Sequence, residues 1–321
     1  NMWVIGQELS YNRFNQHINQ LESEGDYQRA MDYLCAYRDN FPNQWFMLSK
    51  EEIFLNEKMM KYEQNIAIYR EGQRQGYFYF LHPAIPRYQP YLTLEGWEEL
   101  MASDRELHRK ALEKSITKYQ VDLPPEFVAG EVYPLFIVFH GGNSNFEKVR
   151  KHWNDPELES KFIKVYLQSY RHFDSEAYTW RSGDQRADSE IKRVYSELQQ
   201  HYRIDSNKII VAGMSAGATY AIDMALRDVI PVTGFIVFCP GIPYKLKSDT
   251  AYGHLKSDMR GYLLGGEHDY YLDHQQKLTH IFDAIGLDYK YSIVEGMSHQ
   301  YPENESIYIK EGIKHILNDE K

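Results

Sequence analysis

The pattern of apolar and polar positions changes character about a quarter of the way along the chain. Up to about residue 80 the apolar residues recur only at helical spacing. "FNQHINQLESEG" sets Phe14, Ile18 and Leu21 on one face and stops at Gly25, and "DYQRAMDYLCAYRDNF" carries Tyr27, Ala30, Met31 and Leu34 with Pro42 just beyond. A second pair follows in "WFMLSKEEIFLNE" and "KYEQNIAIYREGQRQG", with Tyr62, Ile66 and Tyr69 in register. Three prolines in "LHPAIPRYQP" mark a junction, and a helical stretch over 94–115 leads onward. From about residue 116 short strand-like runs alternate with helical patterns. The runs are "ITKYQVDLP", "YPLFIVFHGG", "KFIKVYLQSY", "KIIVAG", "GFIVFCPG", "RGYLLGG" and "YKYSIVEG". Helices are expected over 189–202, after Ser215, over 274–285 and over 307–317. Several runs are almost wholly apolar, as strands buried on both faces of a parallel sheet are.

This alternation predicts an α/β fold: a doubly wound, mostly parallel sheet preceded by a small all-α helical-hairpin domain. The expected division is a helical-hairpin domain over 1–85, a linker and connecting helix over 86–115, and an α/β domain over 116–321. Tyr27 and Tyr62 lie 35 residues apart, each opening a helix. That step is close to the roughly 34-residue period of tetratricopeptide hairpins, which the first domain resembles, although Asn65 stands where Ala30 stands in the first copy.

Composition narrows the partners. At 43% apolar and 26% charged the chain can bury a sizeable core, and its net charge of −10 speaks against nucleic-acid and anionic-membrane surfaces. No run approaches the ~20 apolar residues of a membrane span. The start "NMWVIGQELS" lacks a basic region followed by an apolar stretch, so no secretory leader is expected. Cys35 and Cys239 fall in different domains; no disulfide is expected, and a reducing cytoplasm is the expected location.

The chemistry gathers beyond the strand ends, where such sheets bind ligands. "GMSAG" places Ser215 between a strand and a helix, with Gly213 and Gly217 removing the side chains that a sharp turn cannot hold. A hydroxyl there stands at the positive end of a helix, where an oxyanion is favoured. "LFIVFHGGN" ends a strand in two glycines. An amide at Gly142 or Gly141, with that of Ala216, offers the two donors a tetrahedral intermediate needs. His140 reads as structural. In "GYLLGGEHDYYLDHQQKL" Asp269 has just cleared a strand end and suits the carboxylate that orients a base; Glu267 competes, and Asp273 reads as a helix cap. In "YSIVEGMSHQYPEN" His299 occupies the last long loop. The order Ser215, Asp269, His299, each just past its own strand, points to a serine hydrolase.

Residues from about 116 onward resemble the α/β-hydrolase superfamily, and within it the esterase branch of polyhydroxyalkanoate depolymerases, feruloyl esterases and esterase D. The likeness rests on "YQVDLPPEF…YPLFIVFHGGN", "YRIDSNKIIVAGMSAGA" and "EGMSH". It implies a Ser215–Asp269–His299 triad and an oxyanion hole at Ala216 and Gly141–Gly142. Two departures are Ala216, where many relatives carry a bulkier residue, and the lack of a clear first strand of the usual eight.

The expected activity is hydrolysis of a small-molecule carboxylic ester, with no cofactor and no metal; thioester or prolyl-oligopeptidase-like peptide cleavage uses the same groups. From another class comes a non-catalytic scaffold whose helical hairpins dock a protein partner or a second copy. "YTWRSGDQRAD" is read as pocket lining or solvated loop, and "EHDYYLD" as an aromatic wall or ordinary surface.

Overall fold

Ser10 caps the first helix, α1 (Tyr11–Ser23), by accepting the Arg13 amide, and Asp26 caps α2 (Tyr27–Tyr37) through that of Arg29. The faces read from the spacing are the buried ones: Phe14, Ile18 and Leu21 in α1, Ala30 and Leu34 in α2. Helices α3 (Trp45–Lys58) and α4 (Tyr62–Arg74) repeat the arrangement, and each helix packs on the next. The computed structural model describes residues 9–247 and 255–318, and the chain divides into two compact units, Asn1–Lys110 and Ala111–Lys321.

In the first unit Asn65 explains why the two hairpins differ in sequence. It is fully buried, accepts from Asn56 Nδ2 at 2.8 Å, and donates to the Ile53 carbonyl at 3.1 Å and the Tyr91 hydroxyl at 2.7 Å. An alanine there would remove all three bonds and leave the Tyr91 hydroxyl only its bond to Glu57, at 2.7 Å. Tyr91 comes from the stretch read above as a linker. Its prolines form a tight 3₁₀ turn, Pro86–Tyr91, and Tyr88, Tyr91, Trp97 and Leu100 share a core with Phe46 and Tyr69. Helix α5 (Trp97–Lys114) starts inside that core and ends past the boundary between the units.

Helices α1 and α3 also bring two carboxyl groups together. Burial, then the hydrogen bond and repulsion from Glu22, push Glu51 up from its ordinary 4.5 to about 8. The folded state therefore holds a proton that the unfolded chain has lost. Stability from this pair is complete below about pH 4.5 and is lost as pH rises toward 8. Glu51→Gln, which copies the protonated form, is expected to leave Tm unchanged at about pH 4 and raise it by roughly 5 °C at about pH 9. Thermal unfolding at both values checks this; equal gains at the two would contradict it.

The second unit is built on seven strands: β1 (Lys118–Asp122), β2 (Val132–Phe139), β3 (Ile163–Gln168), β4 (Arg203–Met214), β5 (Gly234–Phe238), β6 (Arg260–Gly266) and β7 (Asp288–Val294). They form one sheet in the order β1-β3-β2-β4-β5-β6-β7, parallel except for β1, which runs antiparallel to β3 at the edge. Strand alternation sorts the apolar residues to two faces. Leu135, Ile137 and Phe139 of β2 join Val211 and Phe235 on one face, against α8 (Gln185–His201), α9 (Ala216–Leu226) and α10 (Leu272–Ile285). Phe136 and Val138 join Ile210 and Ile236 on the other. There α6 (Phe146–Val149), α7 (Pro156–Lys161) and α11 (Glu305–Leu317) cover them.

The strand order decides where a site can form. From β2 the chain crosses to β3 on one side, then returns to place β4 on the other. The loops leaving β2 and β4 diverge at this reversal, and a crevice opens between them at the carboxyl ends. The β2 loop carries Gly141 and Gly142; the β4 turn carries Ser215.

Candidate active site

Ser215 sits at φ 55° and ψ −117°, a conformation that costs a non-glycine residue energy and persists only under tight packing. The packing is visible at the two glycines. A Cβ on Gly213 would stand 2.7 Å from the Gly217 carbonyl carbon, and one on Gly217 would stand 2.4 Å from the carbonyl oxygens of both Phe139 and His140. Backbone thus presses on backbone across the turn. The Ser215 amide is held by the Phe238 carbonyl at 2.9 Å, leaving the hydroxyl at the start of α9.

Two other loops converge on that hydroxyl. His299 Nε2 lies 2.8 Å from Ser215 Oγ, and His299 Nδ1 lies 2.8 Å from Asp269 Oδ1. The loop after β7 reaches there by crossing the end of β6, and it crosses so closely that a Cβ on Gly266 would meet the Met297 carbonyl oxygen at 2.1 Å. The Asp269 side chain is fully buried. Burial acts to raise its pKa, but the Tyr271 amide, the His299 ring and the Cys239 thiol outweigh that and hold it below the ordinary carboxylate value. Oδ1 accepts from the Tyr271 amide at 2.8 Å, and Oδ2 from Gln275 Nε2 at 2.7 Å.

The competing carboxylates are occupied otherwise. Glu267 is exposed and accepts the Gly296 amide at 2.9 Å. Asp273 falls in the first turn of α10, which begins at Leu272 with Tyr271 as its N-cap, so the expected cap is not made by Asp273. Cys239 was not singled out by sequence. It is buried, its thiol is pushed up by burial and by Asp269, and it contacts the Gln300 carbonyl at 3.7 Å. Cys239, Asp269 and His299 offer ligand atoms within 4.8 Å of one another. Those of Asp269 and His299 already bond each other, and a cation would have to displace that bond.

His140 fixes the neighbouring loop through its tautomer. It is fully buried, and burial lowers its pKa to about 4, so the ring is neutral. Nε2 faces the Ser169 amide at 3.1 Å and must accept; Nδ1 therefore carries the proton and donates to the Gly141 carbonyl at 2.6 Å. In a trans peptide the next N–H points the opposite way, so the Gly142 amide is directed away from His140. A Cβ on Gly142 would stand 3.6 Å from that of Ala216, whose amide is one of the unpaired donors opening α9.

These groups open onto a cleft of about 690 Å³. Lys148, His152 and Tyr301 line it as well, none of them assigned a role by sequence, and so does Tyr270 of "EHDYYLD", the stretch read above as an aromatic wall or ordinary surface. His152 stacks on Tyr301 at 3.6 Å between centroids. The "YTWRSGDQRAD" segment is not among the lining residues: Trp180 is buried against Tyr220, and Asp184 caps α8. None of the described lining residues is acidic, in a chain whose net charge is −10.

No protein-family model matches the chain, and no curated protein matches it in sequence. Solved structures do resemble it. An uncharacterized protein from Bacillus cereus ATCC 10987 is 20% identical, with 97% of this chain and 99% of that one covered at a TM-score of 0.51. The Bacillus cereus carboxylesterase is 14% identical, covering 65% of this chain and 99% of its own at a TM-score of 0.50. For esterase PE8 the values are 18%, 61%, 99% and 0.50. At such identities the likeness speaks of fold: the mostly parallel seven-stranded sheet with flanking helices, preceded by a helical region, has the α/β-hydrolase architecture of these esterases.

Proposed function

We propose that the protein is a serine hydrolase that cleaves a carboxylic ester through an acyl-enzyme. The observation that carries this reading is the relay of two 2.8 Å contacts, Ser215 Oγ to His299 Nε2 and His299 Nδ1 to Asp269 Oδ1, beyond the ends of three different strands. In the reaction His299 takes the Ser215 proton as Oγ attacks the ester carbonyl. The oxyanion is received by the Ala216 and Gly142 amides, Gly141 supplying the carbonyl that sets the second donor's direction. The imidazolium, paired with Asp269, then protonates the leaving alcohol, and a water activated by the same imidazole releases the acid. The chemistry needs no cofactor.

A small ester suits the cleft volume, and its non-acidic lining favours neutral or anionic substrates over cationic ones. Thioesters and peptides present the same carbonyl to the same groups, so a substrate panel follows the first test. That test is labelling with a fluorophosphonate, read by peptide mass spectrometry. An adduct is expected on Ser215 in the wild type and none at that site in Ser215→Ala. His299→Ala should lose labelling and lower ester turnover by about 10⁴-fold or more. Folded wild type that carries no adduct on Ser215 would sink the proposal.

A further inference from the structure

The loop that supplies Asp269 also supplies Tyr270, a large side chain left 69% exposed although it lies over the site. Its ring faces the His299 imidazole with 4.2 Å between centroids and 30° between planes, while Tyr271 meets the same imidazole edge-on at 5.4 Å and 84°. Because the Tyr271 amide is bound by Asp269, the backbone that places Tyr270 is fixed to the carboxylate that holds His299. The phenol lines the cleft beside Ser215.

The stacked ring has a chemical consequence. An aromatic face attracts a cation and gives little to a neutral imidazole. His299 is cationic between proton removal from Ser215 and proton delivery to the leaving group, so the attraction grows as the transition state forms. Ser215 has a single proton, which goes to His299 Nε2 in the attack-ready site. The other groups near His299 are Asp269 at Nδ1, Ser215 at Nε2, Tyr271 at the ring edge, and Cys239, whose thiol lies within 4.8 Å. Of these Asp269 is the charged one, and it remains charged because its pKa is held low.

We propose that Tyr270 is a further catalytic residue, its ring face stabilising the imidazolium of His299. This rests on the serine-hydrolase reading above. The test compares kcat and KM for p-nitrophenyl butyrate from about pH 5 to pH 9 in the wild type, Tyr270→Phe, Tyr270→Leu and Tyr270→Trp. Fluorophosphonate labelling and circular dichroism run alongside. Loss of the ring face makes the imidazolium harder to form, so the acid limb of kcat/KM moves to lower pH. Tyr270→Leu is expected to lower kcat about fivefold and shift that limb down by about half a unit, with KM little changed. Tyr270→Phe retains the ring face and keeps the limb in place. Tyr270→Trp retains a ring face and restores the limb.

An unmoved limb in Tyr270→Leu, or a loss confined to KM, overturns the inference while a labelled wild type keeps the hydrolase reading. A wild type that neither labels nor turns over overturns both. The exposed position makes all three variants compatible with folding, and Tyr270→Ala, which also removes the ring, serves if the Leu form does not accumulate.

Discussion

Asp269→Asn is expected to lower kcat about a thousandfold while the protein remains folded. The reason lies in which oxygen accepts which donor. Oδ1 takes both the Tyr271 amide and His299 Nδ1, and Oδ2 takes Gln275 Nε2. An asparagine must choose an orientation. With its oxygen at the Oδ1 position it keeps the first two bonds but turns an NH₂ toward that of Gln275. Gln275 can rotate only by giving up the Tyr291 hydroxyl on its Oε1, now at 3.1 Å. With its NH₂ at the Oδ1 position it opposes the Tyr271 N–H and makes His299 Nδ1 an acceptor. The ring proton then moves to Nε2, where the Ser215 proton has to arrive. Either way the charge that steadies the imidazolium is lost, so the acid limb of kcat/KM should also move to lower pH. Steady-state kinetics with circular dichroism checks this. A loss below tenfold would remove Asp269 from the relay.

Much of this arrangement was legible in the sequence, for identifiable reasons. Strands buried on both faces leave apolar runs that few other structures leave, and "KIIVAG", "GFIVFCPG" and "RGYLLGG" fall in β4, β5 and β6. The turn at Ser215 could be read because backbone crowding restricts two positions to glycine. Less was legible where side chains meet across long separations. Asn65 interrupts the repeat because its partners come from α3 and from Tyr91, which no periodicity links to it. Pro86–Tyr91 reads as a breaker because a six-residue 3₁₀ turn has no 3.6-residue pattern, yet its tyrosines are core. His140 reads as an ordinary buried histidine; its effect on the Gly141–Gly142 peptide depends on Ser169, 29 residues away. Tyr270, one of 27 tyrosines, could be read from "EHDYYLD" only as aromatic wall or ordinary surface, and its stacking on His299 depends on a loop 29 residues further on.

Gly217→Ala is expected to prevent folded protein from accumulating, whereas Gly142→Ala should fold normally and lose activity. The added methyl at Gly217 would meet the carbonyl oxygens of Phe139 and His140 at 2.4 Å each. Neither oxygen can retreat cheaply, because β2 lies inside the sheet with β3 on one side and β4 on the other. Relief would have to come from moving α9, whose residues Gly217 to Leu226, Thr219 excepted, are all buried. Ordinary overpacking costs about 1–3 kcal/mol when side chains give way; here backbone meets backbone, and a cost above ~4 kcal/mol is expected. That is a large part of the roughly 5–15 kcal/mol that holds a domain folded. At Gly142 the same methyl would find Thr179 Oγ1 at 3.5 Å and Ala216 Cβ at 3.6 Å, which are ordinary contacts. Its effect falls on the space an oxyanion would occupy, and a loss of about tenfold or more in kcat/KM is expected. Soluble yield, Tm and fluorophosphonate labelling of the two variants, side by side, separate these outcomes. A wild-type Tm for Gly217→Ala would mean that the strain at Ser215 is not held by this contact. Full activity in Gly142→Ala would mean that the added methyl lies outside the space the oxyanion occupies.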